Sequence, residues 1–138
     1  EKTKSFAPPY VVAGQARNAN WIDGVGTGAR ISRPYQGCFV KNETYATENR
    51  DDVYDFYFCD NWNHCIRYLT PDGIVKTYAG RGTSSQAGDG NSWGSEDGDL
   101  RETARFNSPT GIAYSEKYKS FYILDTRSRK IRIISKEK

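Results

Sequence analysis

Residues able to do acid–base or metal chemistry are few in this chain. His64 is the single histidine, so no site built on two histidines can form within one chain. It lies in the polar segment Asn61-Trp62-Asn63-His64, where we expect a hydrogen-bonded structural role. No Gly-x-Ser-x-Gly elbow, phosphate-binding loop or zinc-spaced Cys/His cluster occurs. The sequence therefore indicates no catalytic residue, no metal site and no cofactor within these 138 residues.

Two aspartate–arginine pairs recur at the same spacing. Asp60 precedes Arg67 as Asp125 precedes Arg132. A catalytic residue has no reason to recur in this way, whereas a carboxylate that accepts backbone N–H groups and faces a guanidinium holds a hairpin together. We therefore interpret these four residues as structural.

Three cysteines leave two readings open. Cys38, Cys59 and Cys65 cannot all pair within one chain. Cys59 and Cys65 flank a short polar loop and either pair across a hairpin or stay small buried thiols. We favour the buried thiols.

An acidic segment offers a possible calcium site. Its carboxylates are Asp89, Glu96, Asp97 and Asp99. Their spacing lacks the alternate ligands and closing glutamate of an EF-hand. Gly-Asp loops are the more ordinary explanation.

The composition predicts the kind of scaffold that must position these residues. Hydrophobic residues make up 36% and aromatic residues 14%, with 13 Gly and 5 Pro, which is typical of an all-β protein. No run approaches 18 apolar residues, so no membrane span is expected. A net charge of +3 is too mild to indicate nucleic acid. The chain lacks Met and opens on Glu1, which predicts a processed product or a fragment.

An internal repeat organises the chain. The segment FYFCDNWNHCIRYL (56–69) aligns without a gap with FYILDTRSRKIRII (121–134) and shares five identities with it. Further blocks match in the same order: YVVAG (10–14) with KTYAG (76–80), Asp23-Gly24 with Asp97-Gly98, Ala29-Arg30 with Ala104-Arg105, and Pro34 with Pro109.

Each copy divides into short strands bounded by turn residues. We expect strands over 37–41, 55–60, 65–69 and 74–80 in the first copy, and over 111–115, 120–125 and 130–134 in the second. The sequence Thr70-Pro71-Asp72-Gly73 predicts the turn between the last two strands of the first copy. Residues 10–14 are then the outer strand of an incomplete unit. Four antiparallel strands per repeated unit are typical of β-propeller blades.

These blocks resemble NHL repeats of the bacterial cell-surface type. The resemblance is carried by Asp60, Asn63, His64, Ile66, Arg67, Pro71, Asp72, Gly73, Ala79 and Gly80, and by the linking block 97–113. The second copy departs from it, with Thr126-Arg127-Ser128-Arg129 where Asn-His is usual. The resemblance implies one propeller segment over 1–138: an outer strand at 10–14, one full blade at 37–80 and three strands of the next blade at 111–134.

Two blades cannot close a ring, and an NHL propeller is expected to have about six. An open pair would leave sheet edges and apolar faces exposed. We therefore expect either that further blades are missing from this chain or that several chains assemble. Three such chains would supply six blades.

The resemblance places all three tryptophans on one face. Trp21 and Trp93 lie in connections between blades, and Trp62 lies in a turn that emerges on the same side. Aromatic faces stack on sugar rings while amides and guanidinium groups bind hydroxyls. The same set suits a protein partner, or the rings cover local loops. The predicted binding residues are Trp21, Trp62, Trp93, Asn61, Asn63 and Arg81, with Gln86 and Asn91 beside them.

Two classes of function follow from the resemblance. The first is a non-catalytic binding module for a glycan or protein ligand, at the cell surface or in the periplasm. The resemblance is to bacterial cell-surface proteins in which NHL repeats follow an immunoglobulin-like domain. The alternative is an enzyme, because related six-bladed propellers include lactonases and an amidating lyase. Its catalytic residues would lie in absent blades, since 37–41 and 111–115 offer no carboxylate or histidine. RNA binding would need a basic face, whereas the basic residues are divided between the tails and separate turns.

Overall fold

Two antiparallel sheets make up the structure, a computed structural model that describes residues 5–46, 53–82 and 93–135. The all-β prediction is confirmed. The first sheet has the strand order β1-β5-β4-β3-β2 and the second has the order β6-β7-β8. Helix in the described residues is limited to one α-turn at Glu43–Ala46 and three 3-10 turns at 26–28, 61–63 and 126–128. The strands are β1 Gly24–Val25, β2 Pro34–Lys41, β3 Tyr54–Asp60, β4 Cys65–Leu69, β5 Ile74–Ala79, β6 Pro109–Ser115, β7 Ser120–Asp125 and β8 Lys130–Ser135.

The hairpin between β4 and β5 shows how local sequence fixes a connection. The Gly73 N–H donates to the Thr70 carbonyl at 3.0 Å, and the Thr70 N–H donates to the Ile74 carbonyl at 2.9 Å. Gly73 has φ of +81°, a backbone conformation that glycine adopts without steric cost. The turn predicted at 70–73 therefore forms between the two predicted strands.

The outer strand predicted at 10–14 does not form in the described structure. Residues 12 and 13 form a bend, and no strand is assigned over this range. The two-residue strand β1 pairs with the edge of β5, and Gly14 donates its N–H to the Gly26 carbonyl at 3.2 Å. A strand needs a neighbouring ladder for its backbone groups, and no other segment of the described chain offers 10–14 one.

The main core lies between the two sheets. It is built from β3, β4 and β5 on one side and β6, β7 and β8 on the other, together with the connection before β6. An aromatic cluster sits at its centre, where the Tyr57 and Tyr78 rings lie 4.6 Å and 5.3 Å from that of Phe121, centroid to centroid. Its buried apolar residues are Cys59, Ile66, Ala79, Ala104, Phe106, Ile112, Phe121, Ile123 and Ile134.

The far faces of the two sheets are only partly covered in the described structure, since Phe58 and Val75 are buried with Ala29 on the far face of the first sheet. Ile66 and Ile131 occupy equivalent positions in the two copies of the repeat, yet Ile66 is fully buried and Ile131 is 70% exposed. The difference arises because the second sheet covers Ile66, whereas no sheet of the described residues covers Ile131. Leu124 and Ile133 on the second sheet and Phe39 on the first are also exposed. Each sheet thus has exposed apolar side chains on its far face.

No helix in the described part of the chain has the length and apolar character needed to cross a membrane.

Candidate ligand surface

A buried ion pair fixes the first copy of the repeat. Arg67 and Asp60 are fully buried, and the Arg67 Nη1 lies 2.9 Å from the Asp60 carboxylate. The same guanidinium donates to the Arg30 carbonyl at 2.6 Å and to the Ile22 carbonyl at 2.9 Å, and pairs with Asp23 at 3.0 Å. One arginine thereby joins the connection 22–30 to strands β3 and β4.

The second copy repeats this arrangement. Arg132 Nη1 lies 2.9 Å from Asp125, and its Nη2 lies 2.7 Å from Asp97. It also donates to the Arg105 and Glu96 carbonyls, both at 2.8 Å. Every contact matches one made by Arg67, so the aligned blocks of sequence occupy equivalent places. These ion pairs stabilise the packing of the connections against the two sheets.

His64 connects the first sheet to the segment that leads into the second. It closes the turn 61–63 in the left-handed region, with φ of +52°, and its Nδ1 accepts the Ser108 N–H at 2.9 Å. Burial lowers the pKa of His64, the charge of Arg127 lowers it further, and Asp125 and Asp60 act in the opposite direction. The imidazole is therefore neutral at pH 7, as an acceptor at Nδ1 requires.

Asn61 and Asn63 are not available to a ligand, contrary to the sequence prediction. Both are buried. The Asn61 amide donates to the Pro109 carbonyl at 3.2 Å. That of Asn63 donates to the Asn20 carbonyl at 2.8 Å and to Asp60 at 2.6 Å. Withdrawing either amide would leave buried carbonyl or carboxylate oxygens without donors, which is costly.

Trp21 is half-buried, and its polar group is engaged within the fold. Its indole Nε1 donates to Thr77 Oγ1 at 2.9 Å. The ring lies flush against Gly82, where an added Cβ would come within 2.3 Å of it. The Arg101 guanidinium lies 5.7 Å from the ring centroid. Trp21 thus packs the connection before β1 against the end of β5.

Trp62 presents one face of its ring at the surface. The side chain is 53% exposed, and the Arg33 guanidinium stacks on it at 3.5 Å from the ring centroid. A cation over an indole face is attracted to the ring quadrupole. Arg33 therefore holds the ring in place, and sequence reasoning missed this residue because it lies 29 positions away.

Trp93 and Arg81 are brought together at an open cleft of about 280 Å³. Trp93 is 58% exposed. Guanidinium donors and carboxylate acceptors surround an apolar ring face, a combination that suits a ligand rich in hydroxyl groups. The volume lies slightly below the range of typical small-molecule sites, about 300–1,000 Å³. The cleft is lined by Arg81, Trp93, Glu96, Glu102, Thr103 and Arg105.

Four of the cleft residues were not predicted as ligand contacts. They lie in the connection between the two copies of the repeat, where the sequence analysis considered only a calcium site. These residues are Glu96, Glu102, Thr103 and Arg105. Gln86, Asn91 and Asp89 lie outside the described residues.

The described residues contain no group of three or more His, Cys, Asp or Glu side chains arranged to hold a metal ion. Asp97 is paired with Arg132. Asp99 accepts the backbone N–H groups of Glu102 and Arg101, and these bonds lower its pKa. Two of the four carboxylates considered for calcium, Asp97 and Asp99, thus bind groups within the chain.

The cysteines are free thiols. Cys59 lies opposite Ile66 across the β3–β4 ladder, and Cys65 lies opposite Asp60. Since neighbouring residues of a strand point to opposite faces, Cys59 and Cys65 lie on opposite sides of the sheet. Burial raises the pKa of Cys59 to about 12 and that of Cys38 to about 11. Cys59 and Cys65 are therefore buried thiols that do not pair with each other, the alternative that the sequence analysis favoured.

Comparison with solved structures gives strong matches, among them the following three. An auxiliary nutrient binding protein of Bacteroides ovatus is 52% identical, covers 94% of this chain and superimposes with a TM-score of 0.83. An auxiliary nutrient binding protein of Bacteroides thetaiotaomicron is 51% identical over 92% of this chain, with a TM-score of 0.82. A further Bacteroides thetaiotaomicron protein, described as a candidate phosphatase, is 48% identical over 92% of the chain, also with a TM-score of 0.82.

This chain spans only 29%, 28% and 26% of those proteins, respectively. No protein-family model matches the sequence. No curated protein matches it.

Proposed function

We propose that this chain is part of an NHL-type β-propeller that acts outside the cytoplasm, at the cell surface or in the periplasm, as a non-catalytic module binding a glycan. The observation that carries the binding role is the likeness, at 51–52% identity over more than nine-tenths of the chain, to two proteins described as auxiliary nutrient binding proteins. A nutrient-binding role in Bacteroides relatives favours an extracytoplasmic place for this chain as well.

The propeller is supported by the repeated clamp and by the open sheet faces. The same set of bonds around Arg67 and Arg132 makes each sheet one unit of a series. Ile131 is 70% exposed, whereas Ile66 at the equivalent position of the first sheet is buried. We therefore expect a further sheet to cover Ile131. Exposed apolar faces of this kind mark interaction surfaces. In a propeller, neighbouring blades cover them.

The solution mass, measured by light scattering after size exclusion, tests how those faces are covered. A mass near three times 15.6 kDa would support a ring made of three chains. A monomer would support coverage by further blades of a longer protein. A closed dimer, with only four sheets, would contradict the six-bladed propeller.

A glycan is the ligand we favour, because Trp62 and Trp93 keep exposed ring faces beside guanidinium groups. Indole rings stack on the C–H side of sugars, and arginine donates to hydroxyl oxygens. Asn61, Asn63 and Trp21 are left out of the proposed site because their polar groups are bonded within the fold.

Affinity electrophoresis in gels that each contain one soluble polysaccharide, such as xylan, mannan or amylopectin, tests the ligand. We expect at least one to retard the chain, and the double variant Trp62→Ala/Trp93→Ala to lose the retardation. Tyr118→Ala is the matched control, because Tyr118 is an exposed ring beside a cation at the β6–β7 turn. Equal retardation of the double variant and the unchanged chain would refute the proposed face.

A hydrolase is the second candidate, favoured by the likeness to the candidate phosphatase at 48% identity. Its catalytic groups would lie outside this chain, in other blades. Release of p-nitrophenol from p-nitrophenyl phosphate by the longer protein, but not by this chain, would support it. Polysaccharide binding without hydrolysis by the longer protein would favour the binding module.

A further inference from the structure

The connection that lines the Trp93 cleft makes the same backbone bonds as the equivalent connection of the first copy. The Glu96 carbonyl accepts the Arg132 Nη2 at 2.8 Å, as the Ile22 carbonyl accepts the Arg67 Nη2 at 2.9 Å. Glu96 therefore stands at the place that Ile22 occupies in the first copy. Because an apolar residue serves that place equally well, the fold does not require a carboxylate there.

The second carboxylate of the cleft, Glu102, is also absent from the first copy. Its carbonyl accepts the Arg105 Nη2 at 3.2 Å, as the Thr27 carbonyl accepts the Arg30 Nη1 at 2.6 Å. Each of these arginines also donates to the carbonyl of the residue before it, at 2.8 Å in both copies. The arginine is thus a repeated structural element, whereas the carboxylate of Glu102 occurs only in the second copy.

Both carboxylates are accessible to a ligand. Glu96 and Glu102 are exposed, whereas the two arginines of the cleft, Arg81 and Arg105, are half-buried. Within the described residues, neither carboxylate accepts a hydrogen bond. The carboxylates are therefore the charged groups that a ligand of this cleft meets most readily.

The backbone holds Trp93 and Glu96 beside each other. The Gly94 N–H donates to the Phe106 carbonyl at 3.1 Å, and the Gly94 carbonyl accepts the Ser128 hydroxyl at 3.3 Å. The Glu96 carboxylate is folded back against Gly94, where an added Cβ would collide with its Oε2. An exposed ring and a hydrogen-bond acceptor are thus presented together on a fixed segment.

We propose that Glu96 and Glu102 bind the hydroxyl groups of an uncharged sugar and make the cleft selective against acidic sugars. The proposal rests on the glycan role stated above and names the class of glycan. An ionised carboxylate accepts hydrogen bonds at both oxygens, and a neutral sugar presents hydroxyl donors around an apolar face that the Trp93 indole covers. An acidic sugar instead places a like charge beside the two carboxylates, which lowers its affinity.

Affinity electrophoresis in xylan, mannan and amylopectin, each compared with two of its own derivatives, tests this selectivity. Carboxymethyl groups add negative charge, and hydroxyethyl groups occupy the same hydroxyls without a charge. We expect a polysaccharide that retards the chain to bind about tenfold or more weakly as its carboxymethyl derivative than as its hydroxyethyl derivative. The difference should shrink as the salt concentration rises, because salt screens exposed charges.

Variants of the protein assign the selectivity to the two carboxylates. Glu96→Gln/Glu102→Gln keeps acceptor oxygens at both positions and removes both charges, so it should bind the two derivatives equally. Glu43→Gln/Glu116→Gln removes the same number of charges directly after β6 and near the end of β2. This control should keep the full difference between the derivatives.

The outcomes separate this proposal from the glycan role on which it rests. Equal binding of the two derivatives by the unchanged chain would overturn the proposal and leave the glycan role intact. A difference that persists in Glu96→Gln/Glu102→Gln would overturn it too, because the selectivity would then arise elsewhere. Retardation by none of the polysaccharides would refute the glycan role and this proposal together.

Discussion

Replacing Arg67 by methionine is the sharpest test of how the repeat is held together. Methionine fills a similar volume in the same buried place but donates no hydrogen bond. The substitution leaves the Asp60 carboxylate buried without its guanidinium and removes the donors to the Ile22 and Arg30 carbonyls. We expect a large loss in the free energy of unfolding.

The size of that loss follows from the burial of the pair. Removing one partner of a buried ion pair costs about 3–5 kcal/mol, and a buried carbonyl left without a donor costs about 1–3 kcal/mol. Asp60 keeps the N–H bonds of Ser32 and Arg33, which offset part of this cost. We expect a loss of about 4 kcal/mol, against a total stability of about 7–20 kcal/mol for a domain of 138 residues.

Urea unfolding followed by tryptophan fluorescence gives the free energies. A double-mutant cycle with Asp60→Asn isolates the charge, and we expect a coupling of about 2–3 kcal/mol because the double variant leaves no unpaired carboxylate. The matched control is Lys119→Met, which breaks the exposed pair with Glu116 and should cost less than about 1 kcal/mol. A loss below about 1 kcal/mol for Arg67→Met, or additive effects in the cycle, would refute the reasoning.

Three further predictions concern pH, packing and thiol reactivity. Folding lowers the pKa of His64. Its contribution to the free energy of unfolding is therefore complete above about pH 6.5 and is lost as the pH falls through the lower pKa of the folded state. The urea midpoint should fall over this window, and less so in His64→Asn. Gly82→Ala should destabilise the fold and change Trp21 fluorescence, because the added Cβ meets the Trp21 ring and Gly82 has φ of +85°. Gly28→Ala, with open space around the position, is its control. Ellman's reagent should label the cysteines slowly in the folded protein at pH 8, because burial raises all three pKa values, and rapidly in urea.

Each of these has an outcome that would contradict it. An equal pH slope in His64→Asn would assign the effect to another group. Equal stability of Gly82→Ala and Gly28→Ala would mean that the Trp21 ring can move away without cost. Fast labelling of a thiol before unfolding would show that it is reached from solvent.

The sequence alone was sufficient for seven of the eight strands in the described residues, all but β1, and for the equivalence of the parts of the two sheets. Alternation of side chains, turn residues such as Gly73, and the unchanged order of the repeated blocks can be read from the sequence without knowledge of the fold. The matching contacts of Asp60 and Asp125 follow the same blocks. The strand predicted at 10–14 does not form in the described structure, because a strand needs a neighbouring strand for its backbone hydrogen bonds and its own sequence does not specify that neighbour.

Only the tertiary structure decided which residues are available to a ligand. Asn61, Asn63 and Trp21 have the residue types of a binding face, yet each is bonded to a group more than 40 positions away. Trp93 stays exposed beside Arg81 because no distant segment of the described chain covers it. Residue type and spacing determine which hydrogen bonds a side chain can make. Long-range packing decides whether those bonds are made inside the fold or left for a partner.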